Sequence, residues 1–136
     1  MDRADAFHLT GPCGLDCFNC EVFEPNVTAE RPLSPGTRPC RGCREQGRGQ
    51  EDGCPTRACV LERGLSFCSQ CDDFPCPRLQ PCRAGADLRR HNLKLFNLCR
   101  IQAVGVQRWA EEEAGLIRRR YLQGTSRPGE GPVLAD

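Results

Sequence analysis

The 136-residue chain is 38% hydrophobic and 27% charged, carries twelve cysteines, and has a formal net charge of +1 at pH 7. That length fits one compact domain, and no apolar run reaches the length of a transmembrane helix, so a membrane partner is not expected. Leu, Ile, Val and Phe together number only 27, so the oily interior is thin and cross-links are expected to offset the entropy of ordering the backbone.

The start, MDRADAFHLTGPCG, shows no basic stretch followed by an apolar run, so no export signal is read in it and a cytoplasmic location is expected. Thiols stay reduced there, which favours metal thiolates over disulfides as the cross-links. The first thiols arrive in CGLDCFNC, with Cys13, Cys17 and Cys20 at C-x3-C-x2-C spacing. Radical enzymes that use S-adenosylmethionine share this spacing. Their barrel takes about 200 residues or more, which this chain cannot supply.

Residues 24–39 carry four Pro and one Gly without apolar periodicity and read as an exposed loop, as do residues 44–53. Between them, Cys40 and Cys43 form a C-x2-C pair in which Gly42 suits a metal knuckle, a tight turn reaching positive φ with backbone amides aimed at sulfur. Cys54 and Cys59 follow at C-x4-C spacing, and residues 59–68 hold a short helix ending at Gly64 as a left-handed cap. Next come Cys68 and Cys71 at C-x2-C, then Cys71 and Cys76 at C-x4-C. A helix is expected from Asp87, as N-cap, to Val104. Gly105 breaks it, and a second helix follows with Val106, Ala110, Ala114, Ile117 and Tyr121 on one face and Trp109 beside that face. Trp109 and Phe96 are expected to touch each other or the Cys-rich part.

The expected architecture is a small metal-dominated α-rich domain spanning residues 1–122. An irregular metal-binding part of knuckles and short helices occupies residues 8–82, a pair of helices residues 86–122, and a flexible, solvated tail residues 123–136.

Ten thiols are the candidate metal ligands: Cys13, Cys17, Cys20, Cys40, Cys43, Cys54, Cys59, Cys68, Cys71 and Cys76. Tetrahedral sulfur coordination is readily built from Cys pairs two to four residues apart, so two structural zinc ions are expected. Iron-sulfur clusters take the same ligands and are the alternative cofactor. A sequential partition puts Cys40, Cys43, Cys54 and Cys59 on one ion, and Cys68, Cys71 and Cys76 with one of the first three thiols on another. An interleaved partition joins Cys40, Cys43, Cys68 and Cys71. Two sites of four thiolates would move the net charge from +1 to about −3.

Other polar groups have simpler readings. Cys99, among Leu95, Phe96 and Leu98, reads as a core residue. Cys82 reads as a spare thiol more readily than as a ligand. His8 and His91 have no ligand neighbour at a suitable spacing. Asp16, Asp72 and Asp73 read as turn and capping residues. The EEE at 111–113 and RRR at 118–120 suit the macrodipole of one helix and pair along it. Arg38, Arg41, Arg44 and Arg48 around the Cys40 knuckle compensate a thiolate site as readily as they would bind phosphate. Phe18, Phe23, Phe67 and Phe74 form the small core over the metal sites. No catalytic grouping is suggested, so an enzyme is not the expected reading.

These same residues carry a resemblance. The series Cys13-Gly-Leu-Asp-Cys17-x2-Cys20, Cys40-x-Gly-Cys43-Arg44, Cys54-x4-Cys59 and GLSFCSQCDDFPC, with later Gly105 and Trp109, resembles the prokaryotic Cys-rich family named domain of unknown function 3795, over roughly residues 8–115. Cys82, Cys99 and the long loop at 24–39 depart from its pattern. The resemblance implies a zinc-binding or other metal-binding protein without an assigned activity. The expected function is an interaction or adaptor module with a protein partner, the alternative a redox or electron-transfer protein; nucleic acid is not an expected partner, because the basic C-terminal half is balanced within the chain.

Overall fold

Asp2 opens the chain's first helix, its carboxylate accepting the Asp5 N–H at 2.8 Å in place of the missing helical carbonyl. This helix, α1, spans Arg3–His8. The computed structural model describes residues 1–45, 54–79, 93–127 and 131–133. After α1 the chain runs through two 3-10 turns, Cys17–Asn19 and Glu24–Asn26. Helix α2 spans Pro55–Glu62, with Cys54 as N-cap and Pro55 at the first helical position, where its missing N–H costs nothing. Two further 3-10 turns, Cys68–Gln70 and Pro77–Leu79, complete the Cys-rich part.

The helix expected within residues 59–68 starts earlier, at Pro55, while the turn at Gly64 ends it as expected. Gly64 sits at φ +64°, donating to the Leu61 carbonyl at 3.1 Å, and the next N–H, from Leu65, returns to Val60 at 3.0 Å. The pair satisfies two orphan carbonyls and folds Leu65 back toward Val60.

Helix α3 spans Leu93–Val104. Its expected N-cap, Asp87, lies outside the described residues. Gly105 breaks the chain at φ +85°, and a continuous helical stretch follows as α4 (Val106–Arg108), a π-helical turn (Trp109–Glu113) and α5 (Ala114–Gln123). Within the widened turn Glu113 accepts two bonds from Arg100 of α3, at 2.7 and 2.8 Å, which brace the two helical arms. The acids therefore pair back toward α3, α4 and the N-terminus (Arg108 with Glu112, Met1 with Glu111), not with the arginines at 118–120. Residues 123–136, expected as a solvated tail, include the end of α5 and a hairpin in which β1 (Thr125–Arg127) pairs antiparallel with β2 (Gly131–Val133), Ser126 opposite Pro132.

The core is small and aromatic. Trp109 is fully buried and packs edge-on against Phe18 of the first Cys loop, at 6.2 Å between centroids. It belongs to one buried cluster with Leu98, Ile101, Ala110, Ala114, Val60, Phe67, Leu79, Cys13 and Cys68. Of the two contacts expected for Trp109, the structure makes the one with the Cys-rich part, through Phe18, whereas Phe96 is 51% exposed. Cys99 is exposed as well, against the core reading. The inward face of α3 is instead Asn97, Leu98 and Ile101, with Asn97 donating to the Gly14 carbonyl at 2.8 Å, and helical geometry then sets Phe96 and Cys99 outward.

Gly14 is the tightest point of this packing. At φ +83°, a Cβ there would lie 2.8 Å from the Lys94 carbonyl oxygen and 2.9 Å from Leu98 Cγ. Left-handed strain and overpacking add, so Gly14→Ala is expected to destabilise the fold by about 3 kcal/mol, read as a lower midpoint in urea unfolding. An unchanged midpoint would mean that α3 does not seat on this loop.

Candidate metal centre

Each C-x2-C pair in the first and third Cys clusters is made by a 3-10 turn of the same form. Cys20 N–H donates to the Cys17 carbonyl at 3.0 Å and Phe23 N–H to Cys20 at 3.1 Å; Cys71 N–H donates to Cys68 and Phe74 N–H to Cys71, both at 3.1 Å. The repeated pattern C-x2-C-x2-F was legible in the sequence and is longer in period than a solenoid repeat. The Cys40 knuckle forms as expected, with Gly42 at φ +105° and its N–H directed at Cys40 Sγ, 3.3 Å away. An equivalent bond runs from Asp73 N–H to Cys71 Sγ at 3.4 Å. Amides aimed at sulfur favour the thiolate over the thiol.

Four of the ten candidate thiols meet around one space. Cys59 from α2, Cys68 and Cys71 from the 3-10 turn, and Cys76 line a cavity of about 30 Å³ together with Val60, Leu65 and Phe74. That is room for about one water molecule. Arg63, one helical turn after Cys59, reaches across its rim and donates to Cys71 Sγ at 2.8 Å and to Asp73 at 2.9 Å. Its guanidinium is held in the charged form first by Asp73 and then by Cys71 and Cys59. Burial, followed by the sulfurs of Cys13, Cys76, Cys59 and Cys71, pushes the Cys68 thiol up to about 12. This grouping of Cys59 with Cys68, Cys71 and Cys76 is neither of the two partitions drawn from spacing. Arg63 was also missed, although its i, i+4 relation to Cys59 was a usable signal.

A second set of thiols gathers around Arg44. Cys13 and Cys17 are buried, and the sulfurs of Cys17 and Cys43 share a hydrogen bond that pulls Cys17 down to about 6 and, with burial, pushes Cys43 up. Burial raises Cys13. Arg44 Nε donates to the carbonyls of Phe7 (2.8 Å) and Thr10 (2.9 Å), its Nη2 to Ser66 (2.7 Å), and the guanidinium lies 3.9 Å from the Phe7 ring and 4.7 Å from the Phe67 ring. Of the other basic residues expected around this knuckle, Arg41 pairs with Glu24 at 3.2 Å, and Arg48 lies outside the described residues.

The remaining candidates are apart from these sets or lie at their margins. Cys54 is exposed at the start of α2. Cys20 lines a separate cavity of about 690 Å³ formed where residues 24–39 fold back over Asn19, Asn26 and Val22, a feature with no sequence signal. Cys82 and His91 lie outside the described residues, and His8 is exposed on α1. Asp16 proves to be neither an exposed turn residue nor a thiolate neighbour alone: at 1% exposure it binds Arg118 of α5 at 2.8 Å and accepts from Asn19 at 2.9 Å.

Among the described residues, no three His, Cys, Asp or Glu side chains enclose a metal position as they stand. The donor chemistry nevertheless fits a soft ion. The small cavity offers four sulfurs, a wall otherwise largely apolar, one amide directed at sulfur and two arginines, Arg63 and Arg78, in its lining. Among the described residues no helix is long and apolar enough to cross a membrane.

The family described as "Protein of unknown function (DUF3795)" matches residues 9–81. That span holds both thiol sets and ends before α3, so Gly105 and Trp109 fall outside it. No curated protein and no solved structure matches the chain.

Removing the charge on Asp16 leaves Arg118 unpaired beside the first Cys loop. Asp16→Asn is expected to cost about 2 to 4 kcal/mol, with part of the loss recovered in the Asp16→Asn/Arg118→Met double variant. Additive losses in that cycle would show that the two side chains do not act as a pair.

Proposed function

The chain belongs to the DUF3795 family of unknown function, and from that premise we propose that it is a small metal-binding domain, its metal zinc, acting as an interaction or adaptor module for a protein partner. The observation that carries this reading is the convergence of Cys59, Cys68, Cys71 and Cys76 on one cavity of about 30 Å³. These four residues would hold the ion after rotating their side chains inward, and bound zinc would supply a closed tetrahedral cross-link with no open position for a substrate. Arg63 and the Asp73 amide would offset the charge of the thiolates. A closed site argues for a structural role and so for binding rather than catalysis. The iron-sulfur reading uses the same four sulfurs and differs in being coloured and redox-active.

Full-length protein purified anaerobically, without chelator, is expected to be colourless and to retain zinc through gel filtration. Cys71→Ser/Cys76→Ser is expected to lose that ion and to melt more than about 10 °C lower, because coordination energy is folding energy in such domains. A brown protein containing iron and sulfide would replace zinc with the cluster. A metal-free protein with an unchanged melting temperature would end both readings.

A further inference from the structure

Outside the cavity just described, three thiols and an arginine form a cluster that nothing above has used. Cys13 and Cys17 are 8% and 7% exposed, and Cys43 shares a hydrogen bond with Cys17. Two glycines bring the backbone of separate segments within ordinary contact distance of them. Gly42, buried at φ +105°, presents no side chain toward Cys17, whose Cβ lies 4.0 Å from where its own would be; a Cβ on Gly11 would stand 3.6 Å from Cys43 Sγ. Cys40, two residues before Gly42, receives its amide on Sγ at 3.3 Å.

Arg44 supplies the second, independent observation. Its guanidinium is enclosed by Phe7 and Phe67, and its hydrogen bonds go to three carbonyl oxygens, with no carboxylate partner among the described residues. Partial burial lowers the pKa of Arg44, and the groups that would act against this, once ionised, are the sulfurs of Cys17, Cys43 and Cys13. A half-withdrawn cation gains from such a counter-charge.

We propose that Cys13, Cys17, Cys40 and Cys43 form a second metal site for a soft divalent ion such as zinc, with Arg44 as its internal counter-charge. The proposal rests on the reading of the chain as a thiolate metal-binding domain and adds to it a partition of the thiols and a charge partner. Two different segments, 13–17 and 40–43, each give two thiols, the arrangement that suits zinc. Each thiol that binds releases its proton to solvent. Four thiolates around one divalent ion leave a charge of about −2, of which Arg44 offsets half. Cys20, Cys54 and Cys99 stay outside both sites.

The test measures zinc per chain, after loading under reducing conditions and gel filtration, in three full-length proteins. Wild type is expected to hold two ions, Cys17→Ala/Cys43→Ala one, and Cys71→Ser/Cys76→Ser one. A wild type that holds one ion, kept by the Cys17 and Cys43 variant, overturns the second site and leaves the first. A wild type that holds none overturns the reading beneath both. Alkylation of wild type guards against a variant that fails to fold: Cys13, Cys17, Cys40 and Cys43 should be protected with zinc bound and become at least 10-fold more reactive once it is chelated. Reactivity at these four that ignores the metal, or a Cys17–Cys43 disulfide in the native protein, contradicts the site. Arg44→Met should weaken the second ion about 10-fold or more in chelator competition without changing the first. Equal weakening of both would reject the counter-charge role.

Discussion

The half-buried guanidinium of Arg44 is the constraint around which the Cys-rich part is arranged. It binds the end of α1 through Phe7, the following turn through Thr10, and the segment before the third Cys cluster through Ser66. Segments far apart in the chain are thereby joined at one planar, charged group. An interior short of aliphatic residues gains both packing and direction from such a group, since a guanidinium stacks on rings and donates in a fixed plane. The same placement creates a demand for negative charge, and sulfur is the element at hand. Position and charge of the thiols are thus two aspects of one arrangement.

The loop carrying Cys13 and Cys17 is held from every side by partners remote in sequence. Cys68 N–H donates to the Pro12 carbonyl at 2.9 Å, Asn97 to Gly14 at 2.8 Å, and Arg118 to Asp16 at 2.8 Å. Gln102 of α3 adds a bond to the Ser69 carbonyl at 2.8 Å, next to the second C-x2-C turn. The family match covers the thiols, whereas Asn97, Gln102, Trp109 and Arg118 lie beyond it. The helical half therefore works as a brace for the Cys-rich half, and it does so chiefly through polar bonds to backbone carbonyls and one buried ion pair.

Local chemistry was legible from the sequence wherever glycine or spacing controls it. Gly42 and Gly64 adopt the positive φ expected of them, and Gly105 breaks the helical stretch as expected, at φ +85°. The helical C-terminal part and the irregular thiol-rich part also follow from periodicity and Cys spacing. What spacing could not supply was the choice of inward face and the meeting of distant thiols. Asn97 shares the inward face of α3 with Leu98 and Ile101 and donates to the Gly14 carbonyl of another segment, which leaves Phe96 and Cys99 outward despite their apolar character. Cys59 joins Cys68, Cys71 and Cys76 because α2 ends in a left-handed turn that folds back on itself. Both outcomes depend on pairing across the fold, which a linear pattern does not encode.

Metal gripped by reduced sulfur, which the half-buried Arg44 and directed amides gather, would do the work of a larger apolar core. Zinc K-edge X-ray absorption on the reduced, full-length protein tests this most directly. The account predicts a first shell of four sulfur scatterers at about 2.3 Å. A shell of nitrogen or oxygen at about 2.0 Å, or protein that retains no zinc to measure, would contradict it.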